Sequence, residues 1–261
     1  MMRSLYTAST GMYAQQLNVD TLAHNMSNVN TTGFKKQRIE FQDLLYQAIK
    51  RPTSTETTNE PVGLSVGLGV KSAAISTIFT QGNLQNTETP TDVAINGQGF
   101  FKIEVPGYDD PLYTKDGAFK IDAAGQLVTA NGYKVVGADT FAEKAYDIQI
   151  DTEGAITYMV PGDTTTQDGG KIELATFMNP TGLNKLGNNL YQPTANSGEP
   201  VDWNSEEDAS ISLAAGYLEM ANVQIVEEMV NLITAQRAYD INSKVIQASD
   251  EMLQTANGLR R

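Results

Sequence analysis

The side chains able to do chemistry are few, and their spacing serves it poorly. The 261 residues include no cysteine and one histidine, His24. Without thiols there are no disulfides, thiolate nucleophiles or cysteine metal sites, and one imidazole cannot build a multi-histidine zinc centre. Asp109-Asp110 and Glu206-Glu207-Asp208 invite a two-carboxylate glycosidase reading. That reaction needs an acid and a base facing each other across roughly 5–9 Å. Neighbours on one turn do not face, so charged loops are expected. Gly63, Gly67 and Gly69 lack the following Lys-Ser/Thr of a phosphate loop, and no D-x-[DN]-x-[DN]-G calcium loop occurs. Lys35, Lys36 and Arg38 form a small basic cluster in a chain of net charge −13. Three bases are too few for a nucleic-acid surface, which predicts a solvated cluster or ion pairing between copies. The single tryptophan, Trp203, and scattered tyrosines make no clustered platform for a sugar. The expectation is a chain that is not an enzyme, with no catalytic residues, cofactor, metal or nucleic-acid partner.

Interest therefore passes to the elements. Leu5, Ala8, Met12, Gln15, Val19, Leu22, Met26 and Val29 step by alternating threes and fours, a heptad seam with one polar break. A helix over residues 3–28 would run about 40 Å. Asn28, Asn30, Thr31, Thr32 and Gly33 form its stop, Gly33 being free to take positive φ. At the other end, Leu218, Ile225, Leu232, Tyr239, Ile246 and Leu253 recur every seven residues. Their companion row, Asn222, Met229, Gln236, Ser243 and Asp250, is mostly polar, while Val226, Val230 and Ile233 widen the apolar face. One such seam would pack on its own domain. Two seams at opposite termini point to assembly, each needing the other terminal helix, from the same chain or a neighbour.

Charge follows the same division. Residues 1–51 hold six bases against three acids, residues 52–217 eight against 22, and residues 218–261 four against six. The body is acidic and the ends are nearly neutral, so copies can approach end to end without strong repulsion. Residues 1–17 hold no continuous apolar run, so no cleavable secretory signal is expected. No stretch approaches the ~18 apolar residues of a membrane span.

Between the ends the hydrophobic period becomes two. Phe100–Val105, Ala118–Asp122, Tyr133–Val136, Asp147–Asp151, Ala155–Val160 and Lys171–Phe177 read as short strands. Lys115-Asp116-Gly117, Ala123-Ala124-Gly125, Asn131-Gly132, Thr152-Glu153-Gly154 and Asp168-Gly169-Gly170 read as the turns between them. Polar, proline-bounded residues 50–61 read as a loop, and residues 62–70 as a glycine-rich extended strand. The predicted class is α+β: N- and C-terminal helices forming a coiled-coil assembly domain around a central, mostly antiparallel all-β domain. The predicted boundaries are 1–34 for the first helix, 35–84 for a connecting segment, 85–212 for the β-domain and 213–261 for the last helix.

Particular residues carry a family resemblance. Leu22-Ala23-His24-Asn25-Met26-Ser27-Asn28-Val29-Asn30-Thr31-Thr32-Gly33-Phe34-Lys35 resembles the N-terminal signature of bacterial flagellar rod and hook proteins, with His24 where that family usually has Asn. Residues 228–244, Glu-Met-Val-Asn-Leu-Ile-Thr-Ala-Gln-Arg-Ala-Tyr-Asp-Ile-Asn-Ser-Lys, resemble its C-terminal signature. Gly97-Gln98-Gly99-Phe100-Phe101 and Tyr113-Thr114-Lys115-Asp116-Gly117 resemble its β-domain phrases. Within the basal-body rod family, the length and residues 39–47 with the loop to Lys71 look like the distal-rod insertion; a hook-type or proximal rod subunit is the alternative. A secreted carbohydrate-binding β-domain with oligomerising helical ends is the reading from another class.

The resemblance implies a structural subunit that self-assembles helically into a rigid hollow shaft carrying torque to the hook. Its partners would be itself, proximal rod proteins, hook protein, the rod cap, surrounding ring proteins where present, and the flagellar type III export apparatus. Its place would be the basal body in the periplasm, reached without a cleavable signal and without membrane insertion. The assembly interface would comprise Leu5, Met12, Val19, Leu22, Asn25, Met26, Asn28, Val29, Gly33 and Phe34 at one end. At the other it would comprise Leu218, Ile225, Leu232, Gln236, Arg237, Tyr239, Ile246 and Leu253. Phe41, Leu44, Tyr46, Leu64 and Leu68 would belong to the rod-type insertion.

Overall fold

Two apolar periods in one chain require two kinds of packing, and the computed structural model separates them. It describes residues 2–50, 53–55, 58–60, 62–142, 145–161, 165–204 and 210–258. The first compact unit joins Met1–Ser27, Gln37–Ser76 and Gln224–Arg261; the second joins Asn28–Lys36 and Thr77–Val223.

In the first unit, helix α1 (Met2–Ser27) lies against helix α2 (Ile225–Gly258). The contacts run antiparallel: Ser4 Oγ lies 3.3 Å from Ser249 Oγ, and Asn25 bonds Glu228 at the opposite end. The buried positions are mostly small side chains, Ala8, Ala14 and Thr21 on α1 and Ala235 and Ser249 on α2, with Leu22, Asn25 and Glu228 as the larger exceptions. At Gly11 a Cβ would sit 2.9 Å from the Asn242 amide, so the helices approach closely there. The larger seam residues Leu5, Met12, Val19, Leu232, Ile246 and Leu253 flank these positions half-covered. Two helices form a single contact groove, and small residues at its floor let the backbones draw together.

The heptad row of α2 begins at Ile225, one step later than the spacing predicts. Leu218 lies instead in strand Tyr217–Glu219, paired with Gln85. Glu227 and Glu228 in the first turn of α2 suit the positive end of a helix. Val29 falls beyond the end of α1, in the turn that follows it.

The connecting segment is a β-ribbon rather than a loop. Gln37–Asp43 pairs with Val70–Thr77, Tyr46–Lys50 with Leu64–Gly67, and Thr53–Thr55 with Thr58–Glu60. Of the stretch 50–61 expected to loop, Lys50, Thr53–Thr55 and Thr58–Glu60 lie in strands, threonine being a good strand former, and residues 51–52, 56–57 and 61 lie outside the described residues. Leu68-Gly69 interrupts the predicted extended strand. Gly69 takes φ +124°, and its bare Cα faces Thr10 of α1, whose hydroxyl a Cβ would strike.

The second unit is antiparallel throughout. Its main sheet has nine strands arranged around Phe100–Glu104. That strand pairs with Leu112–Thr114, Lys134–Val135 and Leu174–Thr176. Phe100 and Phe101 point to opposite faces, and each anchors its own core cluster. Phe101 packs edge-on to Phe119 (centroids 4.9 Å) among Ile103, Ile156 and Leu174. Phe100 packs with Tyr191, Phe177 and Phe79. One predicted turn is instead a strand: Asp168-Gly169-Gly170 sits inside Gln167–Lys171, paired with Ala155–Met159. A side chain at Gly169 would meet Phe141, Ile156 and Tyr158, so glycine there serves packing rather than turning. Asp109 and Asp110 are exposed; Glu206-Glu207-Asp208 lies outside the described residues.

Candidate assembly interface

The N-terminal signature performs two separate tasks. In the first unit, Asn25 is buried and its amide matches a peptide group. Nδ2 donates to the Gln37 carbonyl at 2.8 Å, and Oδ1 accepts from the Gln37 N–H at 2.8 Å. A second Nδ2 bond reaches Glu228 Oε2 on α2 at 3.2 Å. One side chain thus ties α1 to the start of the ribbon and to α2.

The rest of the signature belongs to the second unit. Asn28 caps the turn after α1 by accepting from Thr31 through its carbonyl and its side chain. Gly33 takes φ +67° and donates to the Glu219 carbonyl at 2.8 Å. A Cβ there would lie 2.7 Å from the Lys115 and Asp116 backbone, so glycine alone fits. Phe34 is half-buried beside it. Asn222, predicted on a helix row, instead precedes α2. It accepts from the Lys36 N–H at 2.7 Å and donates to the Ile78 and Thr80 carbonyls.

Lys35 overturns the expectation of a solvated basic cluster. It is buried and paired with Glu219, itself buried, and donates to the Thr80 carbonyl at 2.8 Å. Lys115, equally buried, lies 3.9 Å from the other Glu219 oxygen and donates to the Gly97 carbonyl at 3.1 Å. Burial pushes the Lys115 ammonium down to about 8 against the pull of Glu219, and lowers Lys35 as well. Burial first, then the Glu219 charge, raises the neighbouring Tyr191 phenol to about 12. Spacing alone could not have found this triad, whose members lie far apart in the chain. Lys36 and Arg38 stay nearer the surface.

The first unit presents the surface able to make new contacts. On α2, Ile225, Val226, Val230, Ile233 and Tyr239 keep 41 to 76 % exposure, and Gln236 and Arg237 are exposed. On α1, Met2, Tyr6 and Tyr13 keep 63 to 75 %; their seven-residue step from Tyr6 to Tyr13 was the overlooked signal. Val19, Gln236 and Tyr239 do come together, with Gln16 and Asp240, around a cavity of about 460 Å³ beside the helix pair. The ribbon exposes Phe41, Tyr46, Leu64 and Leu68, with Leu45 and Ile49 as further apolar neighbours. Leu44 and Leu68 join Met2, Arg3, Tyr6 and Leu45 in an almost wholly apolar hollow of about 540 Å³. This arrangement provides apolar area, hydrogen-bonding amides and unspent charge, the materials of a protein–protein contact.

Three family models match the chain in order. "Flagella basal body rod protein" covers residues 5–35, "Flagellar hook protein FlgE/F/G D1 domain" residues 94–158, and "Flagellar basal body rod FlgEFG protein C-terminal" residues 214–259. "Flagellar basal-body rod protein FlgG" of Borreliella burgdorferi is 49% identical, with 100% of both chains covered. Proteins of the same description from Caulobacter vibrioides and from Buchnera aphidicola of Acyrthosiphon pisum are 43% and 42% identical, each over 99% of this chain and 100% of theirs. End-to-end identity at that level settles descent: the chain belongs to the flagellar basal-body rod family.

Proposed function

We infer that this chain is a structural subunit of the flagellar distal rod, self-assembling helically into the hollow shaft that carries motor torque to the hook. The observation that carries the reading is the outer surface of the helix pair. α1 and α2 cover each other along one line of small residues and leave Met2, Tyr6, Tyr13, Val226, Val230 and Ile233 facing outward. An apolar surface of that size on a helix pair asks for further helices. When the patch on one copy meets a different patch on the next, the contact is heterologous, and a rotation that does not close builds a filament.

In this reading α1 and α2 line the tube as coiled coils. The ribbon adds contacts that stiffen the shaft. Proximal rod proteins lie below, hook protein above, the rod cap leads assembly, and ring proteins surround the shaft where present. The chain travels unfolded through the type III apparatus into the periplasm; the absence of cysteine keeps that passage free of crosslinks. The test is imaging of purified basal bodies carrying a labelled chain. Label along the shaft below the hook is the expected result, and a shaft without label rejects the reading.

A further inference from the structure

The outer faces of α1 and α2 differ in charge, and Tyr6, Tyr13 and Asp20 on one keep the same seven-residue step as Arg237, Lys244 and Glu251 on the other. At about 100° per residue, Met2, Tyr6, Tyr13 and Asp20 fall within about 40° of one another on α1. By the same geometry Val226, Val230, Ile233, Arg237, Lys244 and Glu251 form a strip about 60° wide on α2. Asp20 is the single acid of α1, and Arg237 and Lys244 are the only bases of α2. Asp20, Arg237 and Lys244 are exposed and make no ion pair among the described residues. Guanidinium and carboxylate left unspent beside apolar side chains gain most when a partner brings the opposite charge and excludes water.

We propose that the outer strip of α2 docks on the outer strip of α1 of a second copy, with Arg237 paired to Asp20 of that copy. This rests on the rod-subunit reading above and names the partner of its exposed helix face. Copies in a screw-related filament all point the same way. Because α1 and α2 run antiparallel within one chain, they also meet antiparallel between copies. Setting Asp20 opposite Arg237 then sets Tyr13 opposite Lys244 and Tyr6 opposite Glu251, since each step is seven residues on both helices. An aromatic face receives an ammonium, and a phenol O–H meets a carboxylate. The register lies close to that of the intrachain pair, in which Ser4 meets Ser249 and Asn25 meets Glu228.

The native lack of cysteine makes the contact directly testable. Full-length Asp20→Cys and Arg237→Cys chains, differently tagged, are co-expressed in the bacterium in place of the native protein. Its basal bodies are then purified and oxidised. A mixed disulfide dimer carrying both tags is expected, with no dimer when either variant is present alone. The control pair Tyr6→Cys with Arg237→Cys should stay monomeric, because Tyr6 lies about 21 Å along the helix from Asp20. Basal bodies that contain both chains yet give monomers only, or that crosslink the control pair instead, overturn the proposal. Basal bodies that lack even a tagged chain with native Asp20 and Arg237 overturn the rod reading itself. As a second readout, Asp20→Arg and Arg237→Asp should each reduce swimming, and the two chains together should restore it. Native-level swimming in both single variants, or no recovery when the two are combined, overturns the pairing.

Discussion

Glu219 stands between Lys35 and Lys115, so the second unit buries two ammonium groups against one carboxylate. Removing one partner of such a cluster leaves uncompensated charge inside. Glu219→Gln is therefore expected to cost about 3–5 kcal/mol by chemical denaturation. Lys115→Met is expected to stabilise the unit at neutral pH. The pH dependence follows from the same side chains. The Lys115 ammonium is lowered to about 8 in the fold, while the unfolded chain keeps its lysine protonated to near pH 10.4. The unfolded state thus binds more protons in that window, and stability rises with pH from about 8 towards 10. Tyr191 acts in the opposite sense. Its phenol is held to about 12, whereas an unfolded tyrosine releases its proton near 10, so stability falls above about pH 10. Melting temperature against pH should show a maximum near 10, and Lys115→Met should flatten its lower limb. Asn25 offers a second test at this scale. Asn25→Ala strips partners from the half-buried Gln37 peptide group and from buried Glu228, which should cost roughly 2–4 kcal/mol in the melting of the helix pair.

The ribbon is held to α1 at one narrow point. Gly69 approaches Thr10 so closely that any Cβ displaces the threonine, and its φ of +124° is one that L side chains avoid. Gly69→Ala is therefore expected to loosen residues 44–70 while leaving the second unit intact. Hydrogen exchange should report faster exchange in that ribbon and unchanged protection in strand Phe100–Glu104. A ribbon as protected as the native one would show that the close approach is not what holds it. Deleting residues 50–61 takes out the short pair Thr53–Thr55 with Thr58–Glu60 and Lys50, the last residue of strand Tyr46–Lys50. If the ribbon stiffens the shaft, rods built from that variant should be softer or altered in length; an unchanged shaft rejects the role.

For the whole molecule, where the chain is cut decides what remains folded. Removing residues 1–34 and 218–261 would discard Gly33, Glu219 and Asn222. Lys35 and Lys115 would then be buried with no counter-charge. Trimming at 28 and 223 keeps every residue of the second unit. A chain of residues 28–223 is expected to melt cooperatively and sediment as a monomer, whereas residues 35–217 should fail to fold. The intact chain should sediment as a polymer under the same conditions. A solitary intact chain at high concentration would contradict the exposed helix faces.

Much of this architecture was legible in the residues. Alternating threes and fours in Leu5 to Met26 place α1 because helical period is a local property, and Phe100-Phe101 with its glycine turns places the sheet for the same reason. The signatures around Asn25 and Arg237 identified the family, because those short phrases are specific and stand in order. Local pattern could not say that Leu218 and Asn222 leave the helix for a strand and a loop, since strand pairing with Leu84–Asn86 overrides a seven-residue spacing. Nor could it foresee that Thr53–Thr55 pairs with Thr58–Glu60, or that Lys35 goes inside. A charged side chain is buried when a distant carboxylate and carbonyl reach it. Thr80 reaches it from 45 residues away and Glu219 from 184, so both arrive only once the chain has folded back on itself. The sequence alone determined where the two long helices and the central strands lie and to which family the chain belongs. Tertiary structure decided which faces are used up within one chain and which are left for the next, because burial depends on neighbours that no local period contains.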